Sequence, residues 1–308
     1  MTTTTTTLDT IHQQHHGLTI DEIARVILSC VLEPGDSDAG KLVATIGAAD
    51  TVRVIFDTDD DRTTVQLRER ARPRFSIGSI EQALRAAARF GVTLVTPEHP
   101  HWPTRMNDLG DHAPVALWVR GNSEILTDEK TTAIIGARAA TGYGEHITME
   151  IAAGLVDRGH TIASGAAYGI DGMAHRAALA SGGRTIAYLA GGVDRFYPAG
   201  HDALLTRIVE AGAVVSELPC GAPPTKWRSV DRTTATRERC CVPGSCACNC
   251  SVVPYRSRTH RSGSWRTSRA RPSLRLTRSC WTSGRRETRS RVAGRTRSVS
   301  FAGIAICS

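Results

Sequence analysis

The stretch "TAIIGARAATGYG", Thr132 to Gly144, decides the fold of this chain. An apolar, strand-forming run ends at Gly136. Three glycines, an arginine and a tyrosine fill the turn, and "GEHITMEIAAGLVDRG" then continues with helical spacing. Apolar run, glycine turn and helix in that order read as one β–turn–α unit. The unit repeats: "HTIASG" leads to "IDGMAHRAALASGG", "TIAYLAGG" leads to "HDALLTRIVEAG", and "AVVSELP" supplies a fourth strand. Such alternation implies an α/β fold, a parallel sheet with helices on both faces. Ligands of these sheets sit at the carboxyl ends of the strands.

Upstream, residues 18–90 read as a small helical domain. "TIDEIARVILSCVL" has Thr19 as N-cap, acids in its first turn and Ile23, Val26, Ile27 and Val31 on one face. "SIEQALRAAARFG" has a serine cap at Ser79 and a glycine stop at Gly91, and "DTDDDR" between these helices reads as a solvated loop. A helix-hairpin-helix DNA-binding module is the sharper alternative, but no G-x-G hairpin occurs. Val92–Val95 and "VALWVRG" are strand candidates, separated by turns at Pro97, Pro100, Pro103 and Pro114. The lead-in of residues 1–17, a threonine run followed by His12, His15 and His16, reads as disordered, with a histidine metal site as the functional alternative. It has neither the basic start nor the apolar core of a signal peptide, and no run of about 18 apolar residues occurs anywhere, which points to the cytoplasm.

The charge is unevenly placed. Residues 229–308 hold 17 arginines, no lysine and three acids, a net of +14, so the first 228 residues carry −6 of the overall +8. Seven of the nine cysteines also fall in that tail, and an odd count without a signal peptide argues against a disulfide framework. The basic character that would indicate a nucleic-acid partner thus belongs to the tail, not to the part with a fold-like pattern.

Four turns converge on one sheet edge. They are Gly136-Ala137-Arg138 with Gly142-Tyr143-Gly144; Ser164 to Asp171, which includes Gly165, Tyr168 and Gly169; Gly191-Gly192-Val193-Asp194-Arg195 with Tyr197-Pro198; and Ser216-Glu217 with Pro219-Cys220-Gly221. Glycines bring backbone N–H groups close to a ligand, helix N-termini favour anions, and Arg138 offers a two-pronged fork to a phosphate. The plainer readings are that Gly159 and Gly182-Gly183 stop helices, that Tyr168 and Tyr197 pack, that His175 is structural and that Asp171 caps its helix. The G-x-G-x-x-G dinucleotide fingerprint, the Walker A loop, zinc spacing and the G-x-S-x-G elbow are all absent, and no general base stands out. The edge is built to hold phosphates rather than to break bonds, so no cofactor, metal or catalytic residue is expected.

"IIGARAATGYG", "SGAAYGIDGMAHRAAL", "TIAYLAGGVDRFYPAGHDAL" and "GAVVSELPCGAPP", with "HWPTRMNDLGDHAPVALWVRG" before them, resemble the ordered motifs of the DNA-processing protein A (DprA/Smf) family. The resemblance covers residues 92–228. It implies an extended Rossmann-like domain, here residues 91–228, preceded by the small helical domain. It also implies binding of single-stranded DNA without catalysis, loading of RecA recombinase during natural transformation, and a homodimer. The family's G-S-R turn falls on Gly136, Ala137 and Arg138, with alanine in place of serine. Lys226 falls where the family has a basic residue. The implied phosphate contacts are Gly136, Ala137, Arg138, Gly144, Ser164, Gly165, Gly169, Gly191, Gly192, Arg195 and Lys226. Tyr168, Tyr197 and Trp227 are candidates for base stacking. A Rossmann-like nucleotide phosphoribohydrolase is the enzymatic alternative, but "LAGGVDRFYP" lacks that group's threonine and glutamate.

The resemblance stops near residue 229. The family continues with a segment like F-x-x-R-N-R-x-I-A-G-L and further strand–helix units, whereas this chain gives "RSVDRTTATRERCCVPG". Loss of periodicity, abundant arginine and cysteine, and absence of lysine fit a reading-frame shift near 229–234. A genuine basic tail, with Cys246, Cys248 and Cys250 as metal ligands, is the rival reading. A disordered tail and a sheet lacking its last strands would leave an edge and an apolar face exposed, and the chain prone to aggregate.

Overall fold

The structure is a computed structural model that describes residues 4–15, 17–56, 62–224 and 304–307. Six helices come first: α1 (Thr4–Gln14), α2 (Ile20–Val31), α3 (Ser37–Ile46), α4 (Ala48–Phe56), α5 (Arg62–Ala71) and α6 (Ile77–Phe90). Helix α1 lies where the sequence pattern indicates a disordered lead-in. Leu8 and Ile11, one helical turn apart, are fully buried in the cluster that holds α2 and α4, and tertiary burial overrides the weak helix propensity of threonine.

Helix α2 begins with a reciprocal capping box: Thr19 Oγ1 accepts from the Glu22 N–H, and the Glu22 carboxylate accepts from the Thr19 N–H at 2.7 Å. Its apolar stripe, including Ile23, Val26, Ile27 and Val31, is fully buried. Helix α6 starts earlier than expected. Ser76 is the cap, accepting from the Ser79 N–H, so Ser79 lies inside the helix, and Gly91 ends it in the left-handed conformation at φ 62°.

The sheet follows: β1 (Val92–Val95), β2 (Leu117–Gly121), β3 (Thr131–Gly136), α7 (Gly142–Val156), β4 (Thr161–Ser164), α8 (Ile170–Ala180), β5 (Thr185–Tyr188), α9 (Asp202–Ala211) and β6 (Ala213–Ser216). A last strand, β7 (Ile304–Cys307), completes the order β1-β2-β6-β5-β4-β3-β7. Strands β3 to β6 are mutually parallel and stand in chain order, while β1, β2 and β7 pair antiparallel at the two sides. Right-handed crossovers that always step the same way put their helices on one face. Accordingly α7 packs on α8 and α8 on α9. Ile134 and Ile162 meet α7 and α8, while Ala187 and Val214 meet Leu204, Leu205 and Ile208 of α9.

The opposite face carries Leu117, Val119, Ile186 and Val215. It is covered by Trp102 and two 3-10 segments, Thr104–His112 and Ser123–Thr127, through Met106, Ile125 and Leu126. Helical cover on the two faces is therefore α-helix on one and 3-10 turn on the other. Trp118, the largest fully buried side chain among the described residues, projects from β2 into the cluster formed by the N-terminal helices. Helices α1 to α6 and the sheet thus share one hydrophobic core, and they fall within one compact unit.

The strand edge that the sequence leaves open at β3 is occupied in the structure, and β7 stands at the end of the sheet in its place. The outer edge of β3 is paired to β7, with Gly136 opposite Ile304. On the face of β3 and β4 away from α7 and α8, Ala133, Ile135 and Ala163 are buried. The remainder of the tail, including Cys246, Cys248 and Cys250, and most of the "DTDDDR" loop lie outside the described residues.

Candidate nucleic-acid interface

The carboxyl ends of β3, β4, β5 and β6 point the same way and lie side by side, so their four turns form one continuous ledge. The turns are fastened to each other pairwise. Between the first and second, the Ile170 N–H donates to the Ala137 carbonyl at 3.2 Å. The buried Asp171 carboxylate accepts from the Gly136 N–H at 3.3 Å and the Ala167 N–H at 3.4 Å. Asp171 therefore ties two turns together, a larger role than capping its own helix.

Gly169 sits at φ +77°, and a Cβ there would collide with the carbonyl oxygens of Ala137 and Arg138. Only glycine permits both the conformation and the approach. A Cβ on Gly136 would meet the Ile170 side chain at 2.7 Å, so the two turns are in contact from both sides.

Between the second and third turns, His201 Nδ1 lies 3.0 Å from the Ala166 carbonyl oxygen. The His201 ring meets Tyr168 edge-on at 4.8 Å. Between the third and fourth, the Gly192 N–H donates to the Ala222 carbonyl at 2.9 Å and the Gly221 N–H to Asp194 Oδ1 at 2.7 Å. Beneath the fourth turn the Cys220 thiol is pushed up to about 12, chiefly by burial and then by the nearby Asp194 charge, which keeps it protonated and unreactive. His175 has the structural role expected of it: it is fully buried, with Nδ1 2.7 Å from Thr185 Oγ1.

This packing sorts the residues singled out from sequence. Arg138 and Arg195 are exposed, and neither has an ion-pair partner among the described residues. Gly136, Ala137 and Gly169 are partly accessible beside them. Ser164, Gly165, Gly191 and Gly192 are buried. Ser164 Oγ donates to the Ile134 carbonyl at 2.6 Å, and a Cβ on Gly191 would press on Pro224 at 3.0 Å, so these residues shape the ledge from beneath. Gly144 is also buried, and its N–H donates to Oγ1 of Thr141, the N-cap of α7. Lys226 and Trp227 lie outside the described residues.

Aromatic exposure adds a residue that the sequence pattern left unmarked as a stacking group. Tyr143 is 57% exposed, Tyr168 49% and Tyr197 54%, and all three stand on this ledge. Tyr143, which the sequence places in the first glycine turn without a stacking role, occupies the first turn of α7, and its exposure at the strand-end edge is what marks it.

The four turns thus present two exposed guanidinium groups among three exposed phenol rings on a rigid glycine-rich backbone. The fold and site define a Rossmann-like α/β protein whose strand-end edge exposes arginine and tyrosine side chains.

Residues 93–238 match the family model described as DNA recombination-mediator protein A, a match that runs past the break read near 229. A putative DNA processing protein DprA from Mycobacterium tuberculosis (strain H37Rv) is 40% identical over 232 residues, covering 69% of this chain and 57% of that protein. Protein Smf from Escherichia coli (strain K12) is 36% identical over 150 residues, covering 48% of this chain and 40% of that protein. The X-ray structure of DNA processing protein A from Streptococcus pneumoniae superposes with a TM-score of 0.54 at 25% identity, covering 72% of this chain and 74% of that one. The chain belongs to the DNA-processing protein A (DprA/Smf) family. It spans little more than half the length of its Mycobacterium tuberculosis relatives.

Proposed function

We propose that the strand-end ledge binds single-stranded DNA without regard to sequence, and that the chain holds the strand rather than reacting with it. The observation that carries this reading is the placement of Arg138 and Arg195, which have no ion-pair partner among the described residues, beside exposed Tyr143, Tyr168 and Tyr197. Guanidinium forks suit phosphate oxygens, and phenol rings offer stacking faces to any base. The glycine turns fix both sets before a ligand arrives, which lowers the ordering cost of binding.

The rest of the reading follows from family membership. The recombination-mediator description of the matching family supports transfer of the bound strand to RecA recombinase, as does the resemblance of the motifs. A homodimer acting in the cytoplasm during DNA uptake belongs to the same proposal. Among the described residues no helix is long and apolar enough to cross a membrane.

The test is fluorescence anisotropy of a labelled oligo-dT strand titrated with the full chain and its Arg138→Ala variant. Loss of a charge-assisted phosphate contact should weaken binding about tenfold. The slope of log K against log salt should become shallower by about 0.7, with mixed-sequence strands affected equally. Unchanged affinity would remove the ledge as the interface. Release of free base from a nucleoside monophosphate by the same preparation would favour the phosphoribohydrolase instead.

A further inference from the structure

Arg120 is the third arginine near the ledge, and its surroundings differ from those of Arg138 and Arg195. It projects from β2 on the face shared with Trp118 and Val214. Its guanidinium carbon lies 5.0 Å from the ring centre of Phe90, the last residue of α6, and 4.9 Å from that of Phe196, in the third turn. Nη1 also points at the Val193 carbonyl oxygen at 3.5 Å, a long contact. One side chain therefore touches the end of the helical region and two points of the turn that carries Arg195 and Tyr197. Phe196 is flanked in sequence by these two exposed residues and packs against the common core. No carboxylate pairs with Arg120 among the described residues, so the two rings are its principal neighbours.

A guanidinium over two rings is held by cation–π attraction to both, and it holds the rings in return. The third turn needs such a fastening. Residues 189–201 form the longest of the strand-to-helix connections on the ledge, and Arg195 and Tyr197 are exposed within it.

We infer that Arg120, placed over the rings of Phe90 and Phe196, is a positioning residue that sets Arg195 and Tyr197 for the DNA strand. The inference rests on the ledge being the DNA interface. Arg120 acts through the turn and does not touch phosphate. A lysine in its place keeps the charge but loses the planar guanidinium.

The experiment measures oligo-dT affinity over a salt series for the full chain and for Arg120→Gln, Arg120→Lys, Phe196→Leu and the Arg120→Gln/Phe196→Leu double variant. Amide hydrogen exchange of residues 193–200 is followed in parallel. Arg120→Gln should weaken binding about fivefold, as loss of one to two cation–π contacts implies, with the salt slope unchanged. Arg120→Lys should recover only part of that loss. The double variant should bind no worse than the weaker single one, because both changes break one fastening. Exchange at residues 193–200 should rise.

A salt slope shallower by about 0.7 would make Arg120 a phosphate contact and overturn the inference. So would full recovery with lysine, or unchanged affinity and exchange. A lower melting temperature with unchanged affinity and unchanged exchange at 193–200 would show a structural role only. Arg138→Ala, measured alongside, separates the failures. If it weakens binding and Arg120→Gln does not, only this inference falls. If neither weakens it, or the parent does not bind, both readings fall.

Discussion

Arg25 and Arg138 show two uses of the same side chain. Arg25 lies at the seam between the helical region and the sheet, with a side chain 6% exposed. Its Nε donates to Asp21 at 2.7 Å, Nη2 to Glu98 at 2.9 Å and Nη1 to the Val115 carbonyl at 2.8 Å. The Asp21 carboxylate also accepts from the Ala48 N–H at 3.1 Å, so the cluster reaches from α2 to α4 and to the sheet region. Arg138, on the ledge, is exposed and has no such company among the described residues. At the seam the fold supplies its own counter-ions because a buried charge must be compensated on folding. At the ledge the described residues supply no counter-ion, and under the proposed function a strand phosphate takes that place. A mildly acidic folded part can therefore still offer a cationic edge, a point hidden by net charge.

The comparison can be broken, and the largest effect should come from the ledge backbone. Gly169→Ala forces a Cβ against two carbonyl oxygens and places alanine at φ +77°. A destabilisation of about 3 kcal/mol is expected, together with loss of oligo-dT affinity in whatever fraction stays folded. Chemical denaturation with paired anisotropy titrations checks both. An unaltered midpoint would mean the ledge is not the rigid scaffold described here.

Next in size is the seam. Arg25→Met removes the charge and the three donor contacts while keeping much of the apolar stem. Because Asp21 and Glu98 are themselves partly exposed, at 38% and 64%, the cost is set at about 2 kcal/mol rather than the full penalty for orphaning a buried pair. Affinity for the strand should not change. Weaker binding by a fully folded Arg25→Met chain would erase the distinction between the two arginines.

The smallest effect concerns the thiols that sit one at each region, Cys30 in α2 and Cys220 under the fourth turn. Burial pushes both up to about 12 from 9.0. A raised folded value means that unfolding releases the proton more easily. The stabilisation is complete below pH 9 and is lost as pH rises towards 12. Melting temperature should be insensitive to these groups at neutral pH and fall in that alkaline window, less so in Cys30→Ala and Cys220→Ala. Rapid labelling of either thiol at pH 7 by an alkylating reagent would show that its region opens.

Much of the architecture was legible as pattern. The periodicity of Thr131 to Ser216 marked strands and helices in the right order, because apolar spacing follows directly from helix and strand geometry. Thr19 and Gly91 announced helix ends because capping is local chemistry. Helix α1 was not legible, since threonine is a poor helix former and only the burial of Leu8 and Ile11 orders it. Nor was Ser76 as the cap in place of Ser79, a choice between two serines three residues apart that the packing of α6 decides. The pairing of β7 with β3 joins residues about 170 apart and had no local signal.

For the candidate site, the sequence alone marked four glycine turns and Arg138 as candidates, because glycines and charges at strand ends can be read in order along the chain. Only the tertiary structure decided what each residue does there. It turned Asp171 from a helix cap into a tie between turns and buried Ser164, Gly191 and Gly192 under the surface they shape. It also left Tyr143 exposed and set Arg120 between two rings from distant segments. Burial, ion pairing and ring contacts depend on which segments become neighbours, and that is settled by how helices and strands pack together.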